Sequence, residues 1–473
     1  MQITLLLPEI ALSLMVLVLF ATTLGKFKGG TLNLLALALS AVSLFAAVAG
    51  IGANGVLFYD AYRVDALSQI FKVITTLGLF LVISSSSGLR GIAEELKAEY
   101  YLFLSIGSFG LVSLASSVEL LTILMSLEIS AFALYVIIPF RHVADYRNHM
   151  EAAVKYFLFG TIATGLMLFG MSYIFGVTGT TYLAELAKVV PGLLHTSPLV
   201  VVGMVLLFCG FFYKLALFPL HFLAPDVYTG AANETTSFIA TVPKATALAV
   251  LIRLAHVTGA EIGQITWVLA VFAVGSMTLG NLSALVQKDL KRLLAYSSVA
   301  HAGYVMVGVL SANELGLASV IYYIGGYLLM NLSCFYVIYQ LAPAGENLTF
   351  DDLKGLYKRS PLLAFVLAAG AFGMTGIPPT IGFTGKLLVF TAAIQKGFYA
   401  LVILGVINAA ISAFYYLKLV RASYSPVEET GECVCLSMPA KVLGVFFIAS
   451  IILTGVLPQS FIAMAKEAVA GMI

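Results

Sequence analysis

Five lysines stand inside long apolar runs of this sequence, namely Lys72, Lys155, Lys214, Lys244 and Lys386. A lysine at mid-membrane depth costs roughly 2.5–3.5 kcal/mol on insertion scales, so such a residue needs a reason. Lys72 is expected to snorkel to an interface, and Lys155 lies close to the start of its run. The other three are hard to explain as surface residues. Lysine is also the informative type, because a buried ammonium can release its proton near neutral pH and a guanidinium effectively cannot. Glu128, deep in Leu121-Thr-Ile-Leu-Met-Ser-Leu-Glu128-Ile-Ser-Ala, is the matching carboxyl. It is either a lone protonated group tied to a backbone carbonyl or one half of an ion pair, with Lys214 the favoured partner. At about 4 Å and an effective dielectric of 20 such a pair is worth roughly 4 kcal/mol, so separating it would favour proton release from the lysine. His221 follows Lys214 by seven residues, one helical face if the helix is unbroken, and otherwise reads as a structural histidine. His301 lies among Tyr296, Ser297, Ser298 and Tyr304, polar company for a proton path. Glu119, Asp226 and Asp289 fall at run ends, where interfacial hydration is the plain reading, and Asp289 could also pair with a neighbouring subunit.

The elements that position these groups are membrane helices. Of 473 residues, 61% are hydrophobic and 10% charged, with a mean hydropathy of +1.02. Soluble chains carry about 25% charged residues, so a cytosolic enzyme, a secreted domain and a disordered chain are all excluded. A net charge of +2 gives no sign of nucleic-acid binding. Apolar runs of about 20 residues suit a membrane helix, and fourteen are predicted: 3–24, 31–51, 64–85, 100–116, 118–140, 152–176, 199–228, 236–256, 264–286, 293–311, 316–340, 361–394, 399–420 and 441–462. The first holds Glu9 and lacks a basic leader, so it is read as a mature helix and not a signal peptide. Loops after odd-numbered runs hold fifteen Lys and Arg, including Lys26, Lys28, Arg141, Lys291 and Arg292. The other side holds Arg63, Lys188, Arg253, Lys396 and Lys466. By the positive-inside rule both termini face away from the cytoplasm.

Three of the runs contain helix breakers. The seventh has Pro219 and Pro225 after Lys214, the eighth has Pro243 immediately before Lys244, and the twelfth reads Gly376-Ile-Pro378-Pro379-Thr-Ile-Gly382-Phe-Thr-Gly385-Lys386. Interrupted helices survive in lipid where the freed backbone faces protein or water, and matched interruptions in two halves mark ion sites in transporters. Ala152-x-Val154-x-Tyr156-x-x-x-Gly160 recurs as Ala318-x-Val320-x-Tyr322-x-x-x-Gly326. The expected organisation is a three-helix segment (1–98), two five-helix repeats (99–258 and 259–422) that are inverted because their helix number is odd, and a last loop and helix (423–473).

Cys209 and Cys334 lie in apolar runs as small hydrophobes. Cys433 and Cys435 are too close for an ordinary disulfide or a four-ligand metal site, and nothing in the sequence explains them. No metal is expected. There is no iron–sulfur cysteine pattern, dinucleotide fingerprint or P-loop, so no redox centre and no nucleotide hydrolysis are expected in this chain.

With these motifs assembled, the chain resembles the antiporter-like membrane subunits of complex I, the bacterial NADH–quinone oxidoreductase, over residues 1–465. The specific pieces are Lys214 through Pro225, Gln287-Lys-Asp-Leu-Lys-Arg-Leu-Leu-Ala-Tyr-Ser-Ser-Val-Ala-His301-Ala-Gly, and Gly376 through Lys386. Pro225-Asp-Val-Tyr-Thr-Gly230 and Lys386 point to one branch of that family. Its paralogues typically carry glutamate or another pattern at those places, and one of them has a long lateral C-terminal helix that does not fit here. The resemblance implies a proton half-channel in each repeat joined along a polar axis. It matches Glu128 and Lys214 to an ion pair, Lys244 to a central relay, Lys386 to the exit side, and Lys155 and His301 to further axis positions. It also implies an inner-membrane respiratory complex with paralogous antiporter-like partners, in which NADH, FMN, iron–sulfur clusters and quinone belong to other subunits. A proton is the expected ion, since lysine cannot coordinate a cation. An Mrp-type cation/proton antiporter or membrane-bound hydrogenase subunit shares the fold and much of the axis, and a non-transporting scaffold is the remaining alternative.

Overall fold

The computed structural model describes residues 2–25, 27, 29–86, 88–142, 146–258, 263–426 and 433–472. The first helices are α1 (Gln2–Leu5), α2 (Leu7–Thr23) and α3 (Gly29–Ala49). A short antiparallel hairpin, β1 (Gly55–Leu57) with β2 (Tyr62–Val64), pairs Gly55 with Val64 and leads into α4 (Ala66–Ser85). Next come α5 (Lys97–Ser116), α6 (Leu120–Ile137), α7 (Tyr146–Thr178), α8 (Leu183–Thr196), α9 (Pro198–Leu215), α10 (Ala224–Gly230) and α11 (Asn233–Val257). The second half holds α12 (Gly263–Leu285), α13 (Leu290–Ser311), α14 (Glu314–Leu341), α15 (Leu356–Arg359) and α16 (Pro361–Thr375). It ends with α17 (Ile381–Gln395), α18 (Tyr399–Tyr424), α19 (Met438–Val456) and α20 (Gln459–Ala470).

Among the described residues, twelve helices are long and apolar enough to cross a membrane. The fourteen apolar runs all fall on helices. The first is the 17-residue α2, and the twelfth is shared by α16 and α17, 15 residues each. Polar starts define several boundaries. Asp65 and Ser68 form a reciprocal capping box on α4, while Glu119, Asp289 and Asn313 accept from the first-turn backbone of α6, α13 and α14. The Glu119 and Asp289 carboxyls, expected to be solvated, are thus tied to their own helices.

The bundle is arranged around α11, in which every residue except His256 is buried. α13 and α14 are nearly as enclosed. Helices at the periphery instead turn Leu17, Phe45, Phe414 and Val445 outward. Apolar side chains outside and serines, threonines and lysines inside suit a bundle solvated by lipid, where backbone and polar groups are satisfied internally.

Three features depart from the sequence reading. Pro243 lies within a continuous α11 and does not break it; tight packing on all sides holds the helix through the missing hydrogen bond. The final run is cut at Pro458, so that α20 forms a separate amphipathic helix burying Ala465, Ala468 and Val469. The 14-residue α8, also not expected, is too short to span and buries Leu183, Leu186 and Val190 at helical spacing.

Candidate functional site

The seventh run breaks where α9 ends at Ala216, which is left-handed with φ 57° and ψ 43°. The chain then passes Pro219 before α10 begins. Lys214 is thereby placed in the last turn before the break, with its ammonium 6.0 Å from the centre of the Tyr156 ring and no hydrogen-bond partner among the described residues. Tyr156 is itself fixed, since the Tyr213 hydroxyl donates to its carbonyl at 2.8 Å. Glu128 accepts from the Thr164 hydroxyl at 2.6 Å. The expected direct pair with Lys214 is not formed: among the described residues the Lys214 ammonium makes no hydrogen bond, and Glu128 is held by Thr164 instead. Thr164 on α7 competes for the carboxylate, which no reading of α6 and α9 alone would reveal.

Lys244 follows Pro243 on α11. Its ammonium donates to Ser298 Oγ at 2.7 Å and lies 5.7 Å from the Tyr228 ring. A cavity of about 30 Å³ reaches from Lys214 to Lys244, walled by Tyr156, Tyr213, Tyr228 and Ile239. Pro243 has no N–H for the Ile239 carbonyl, and both residues line the same cavity. A second cavity of about 10 Å³ lies between Lys244, Ser298, His301 and Tyr327. One water needs roughly 10–15 Å³ on this measure, so the first has room for a short water chain and the second for about one molecule.

His301 is buried between two hydroxyls, with Nδ1 2.7 Å from Tyr323 and Nε2 3.0 Å from Tyr416. A neutral imidazole has one donating and one accepting nitrogen, so this arrangement links the two tyrosines in either tautomer. Tyr416 in turn makes a short hydrogen bond with Ser297. The ring of Tyr304, 6.0 Å from that of His301, lies 4.8 Å from the Lys386 ammonium.

Lys386 is placed by the second break. α16 ends at left-handed Gly376 (φ 89°), and the lysine reaches back from α17 to donate to the freed carbonyls of Met374 and Thr375 at 2.8 and 2.9 Å. The close approach of the two half-helices depends on Gly382, whose Cβ would run into the Gly373 carbonyl oxygen. Gly382→Ala is therefore expected to part the half-helices and cut the amount of assembled protein severalfold, measured as subunit recovered in solubilised membranes; normal recovery would refute this packing argument.

Not every expected residue joins this line. Lys155 sits at the mouth of an open cavity of about 430 Å³, paired with Glu151 at 2.7 Å and Asp226 at 2.8 Å. Its helix starts at Tyr146, well before the apolar run, which leaves this turn beyond the enclosed interior. His221 lies past the break with its ring 5.8 Å from Phe218, so the shared face with Lys214 is lost. Lys72 does not snorkel: it is fully buried and pairs with Glu9 at 2.6 Å. Asp226, expected at a hydrated interface, also binds Arg292 at 3.1 Å. Arg253 and Lys291, counted as loop or helix-end residues, are buried; the first holds Asp65 and the second donates to the Ala231 carbonyl. Arg141, unremarkable in sequence, donates to the carbonyls of Thr229, Gly230 and Gly345. Tyr323 and Tyr416 were missed because tyrosine is common in any apolar run. Lys26 and Lys28 lie outside the described residues. All four cysteines are free, Cys433 and Cys435 exposed. Among the described residues no three His, Cys, Asp or Glu side chains converge as a metal site would require.

The sequence and fold were then compared with known proteins. A family described as the transmembrane region of NADH:quinone oxidoreductase and Mrp antiporters matches residues 117–412. NADH-quinone oxidoreductase subunit N 2 of Opitutus terrae is 44% identical over 96% of this chain and 95% of that protein. The protein of the same name from Solidesulfovibrio magneticus is 42% identical over 99% of both. A chain of respiratory complex I from Thermus thermophilus with bound aureothin superimposes with a TM-score of 0.83 at 30% identity, covering 97% of this chain and 99% of that one. The Mrp complex from Dietzia sp. DQ12-45-1b contains a chain of the same fold, with a TM-score of 0.86 at 20% identity over 100% and 98% of the two chains. Full-length identity above 40% to proteins of one name, on a fold whose two broken helices each carry a lysine with its ammonium turned inside, assigns the chain to the subunit N family of NADH-quinone oxidoreductases.

Proposed function

We propose that this subunit translocates protons within the membrane arm of a respiratory NADH–quinone oxidoreductase. NADH, FMN, iron–sulfur clusters and quinone react in partner subunits, and this chain moves protons in response. The observation that carries the reading is that Lys214 and Lys386 stand at helix breaks, Lys244 follows a proline in the continuous α11, and small cavities, hydroxyls and His301 lie between them. A lysine ammonium gives up a proton, a hydroxyl or imidazole accepts one while passing another on, and at Lys386 the interrupted backbone supplies the carbonyls that keep the cation in place. Glu128, held by Thr164, is a nearby fixed charge whose movement would alter the proton affinity of Lys214.

Residues 99–258 and 259–422 form, in this reading, two inverted repeats, each ending its fourth span in a break with a left-handed residue. The open cavity around Lys155 and Asp226 is a hydrated mouth and not part of the inner line. His221 is left with a structural role. The protein belongs in the bacterial inner membrane, with both termini on the non-cytoplasmic side. Its neighbours are other membrane-arm subunits, paralogous antiporter-like chains among them. The translocase activity is a property of the whole complex.

The test is Lys214→Met in native membranes, with proton pumping and quinone reduction measured together. Loss of both in a fully assembled complex is expected. Normal pumping and reduction would reduce the subunit to a scaffold.

A further inference from the structure

Each of the three lysines in the proposed line faces the ring of a tyrosine. The Lys386 ammonium lies over Tyr304 at 4.8 Å from the ring centre, Lys244 over Tyr228 at 5.7 Å and Lys214 over Tyr156 at 6.0 Å. A cation within about 6 Å of a ring centre is drawn to the negative face of the aromatic quadrupole, and more strongly where water is excluded. The other contacts of these ammoniums are with uncharged groups. Lys244 donates to the Ser298 hydroxyl and Lys386 to the carbonyls of Met374 and Thr375, while Lys214 has no hydrogen-bond partner among the described residues.

The fold holds the three buried rings in place. Tyr304 meets Phe390 edge-on at 6.2 Å, and its hydroxyl accepts from Asn281 Nδ2 at 3.2 Å. Asn281 accepts in turn from the Tyr415 hydroxyl at 2.9 Å, so α12 and α18 together fix a ring carried by α13. Tyr228 stands edge-on to Phe335 at 6.2 Å, and Tyr156 edge-on to Tyr135 at 5.4 Å. The other ionisable groups around Lys386 are His301 on α13, Tyr323 on α14 and the Tyr415–Tyr416 pair on α18. Of the remaining helices packed on α17, α16 carries no ionisable residue and α19 only Lys441, in its first turn.

A carboxylate about 4 Å from such a lysine would strengthen its hold on the proton by roughly a thousandfold at an effective dielectric of 20. A ring face does so by roughly five- to thirtyfold. We propose that Tyr304, Tyr228 and Tyr156 stand in for counter-ions, each setting through its ring face how firmly one relay lysine holds its proton. This rests on the reading of the three lysines as relays. The ring steadies the charged form enough to load it, yet leaves no opposite charge to trap it. Tyr304 has the largest share because its ring is nearest. The tyrosines act here as positioning residues: the proton travels on the lysine and the ring exchanges none.

The test compares Tyr304→Phe with phenylalanines carrying one, two or three ring fluorines at the same position, introduced by nonsense suppression into the whole complex. Fluorine withdraws charge from the ring face while hardly changing its size, so a ring that served packing alone would not register the series. Pumping relative to NADH oxidation is followed against pH in inverted membrane vesicles. A lysine that holds its proton less firmly stays unloaded from a lower pH upward. The alkaline limb of pumping should therefore move to lower pH with each fluorine, by roughly one pH unit over the series. A limb that stays in place overturns the role of the ring. Lys386→Met, measured alongside, tests the relay by itself. Pumping lost in that variant with an unmoved limb leaves the relay standing without its ring, and normal pumping there overturns both. Should Tyr304→Phe itself prevent assembly or pumping, the same series at Tyr228, read beside Lys244→Met, decides: a moving limb supports the proposal and a fixed one overturns it.

Discussion

Lys244→Met is expected to stop proton pumping while leaving the complex assembled. The side chain is buried on a helix with no lipid-facing surface, and its ammonium has the neutral Ser298 hydroxyl as its hydrogen-bond acceptor. Methionine fills nearly the same volume, removes a charge that is costly to bury, and strands no opposite charge. Stability should therefore be kept. Pumping should fall by roughly a hundredfold or more, the range for loss of a group that takes part in proton transfer. Lys244→Arg separates two explanations for such a loss. A guanidinium keeps the positive charge but effectively never gives up its proton, so an inactive arginine variant would show that the proton, and not the charge, is needed. An arginine variant that pumps normally would refute a relay at this position. The measurement is dye-detected acidification of inverted vesicles alongside NADH oxidation.

The second large effect concerns stability. Arg253→Met should lower the amount of assembled complex sharply, because it leaves the Asp65 carboxylate buried with Arg63 at 3.7 Å as its nearest remaining cation. Breaking a buried pair from one side typically costs about 3–5 kcal/mol. Asp65→Asn added to Arg253→Met should recover most of that loss, since asparagine still caps α4 and no unpaired charge remains. Heat inactivation of the solubilised complex reads the difference. Equal stability of the single and double variants would show that the pair is not what holds α4 to α11.

What the sequence made legible follows from how anomalous each residue is in its run. Lys214, Lys244 and Lys386 stood out because nothing apolar explains an ammonium there, and the structure encloses all three. The breaks at Pro219 and Pro378–Pro379 were legible because proline and glycine act on the backbone locally. Pro243 was misread because neighbouring helices decide whether one missing hydrogen bond becomes a break. Pairings were the least accessible. Glu9 and Lys72 are 63 positions apart and Asp65 and Arg253 are 188 apart, distances over which no periodicity carries information. Lys72 was placed by its distance from a run's end, which fails when a partner helix brings an acid to meet the lysine. The short helices α8 and α20 fell below the length at which an apolar run is noticed.

The enclosure of α11 has a consequence for how the protein is made. This helix carries Glu234, Lys244 and Arg253, and one such charge at the centre of a lipid-exposed helix costs roughly 2.5–3.5 kcal/mol. Asp65, which neutralises Arg253, has already been synthesised when α11 leaves the ribosome. Ser298 of α13, the acceptor for Lys244, has not. Nor have α13 and α14, whose packing completes the enclosure. During synthesis α11 is thus a helix that lipid alone holds poorly, and its insertion must wait at a protein surface, either the earlier helices α4 and α5 or the insertion machinery, until the second repeat arrives. The subunit is consequently most vulnerable to degradation while its chain is a little over half made, and truncations after α11 should be cleared far faster than truncations after α14.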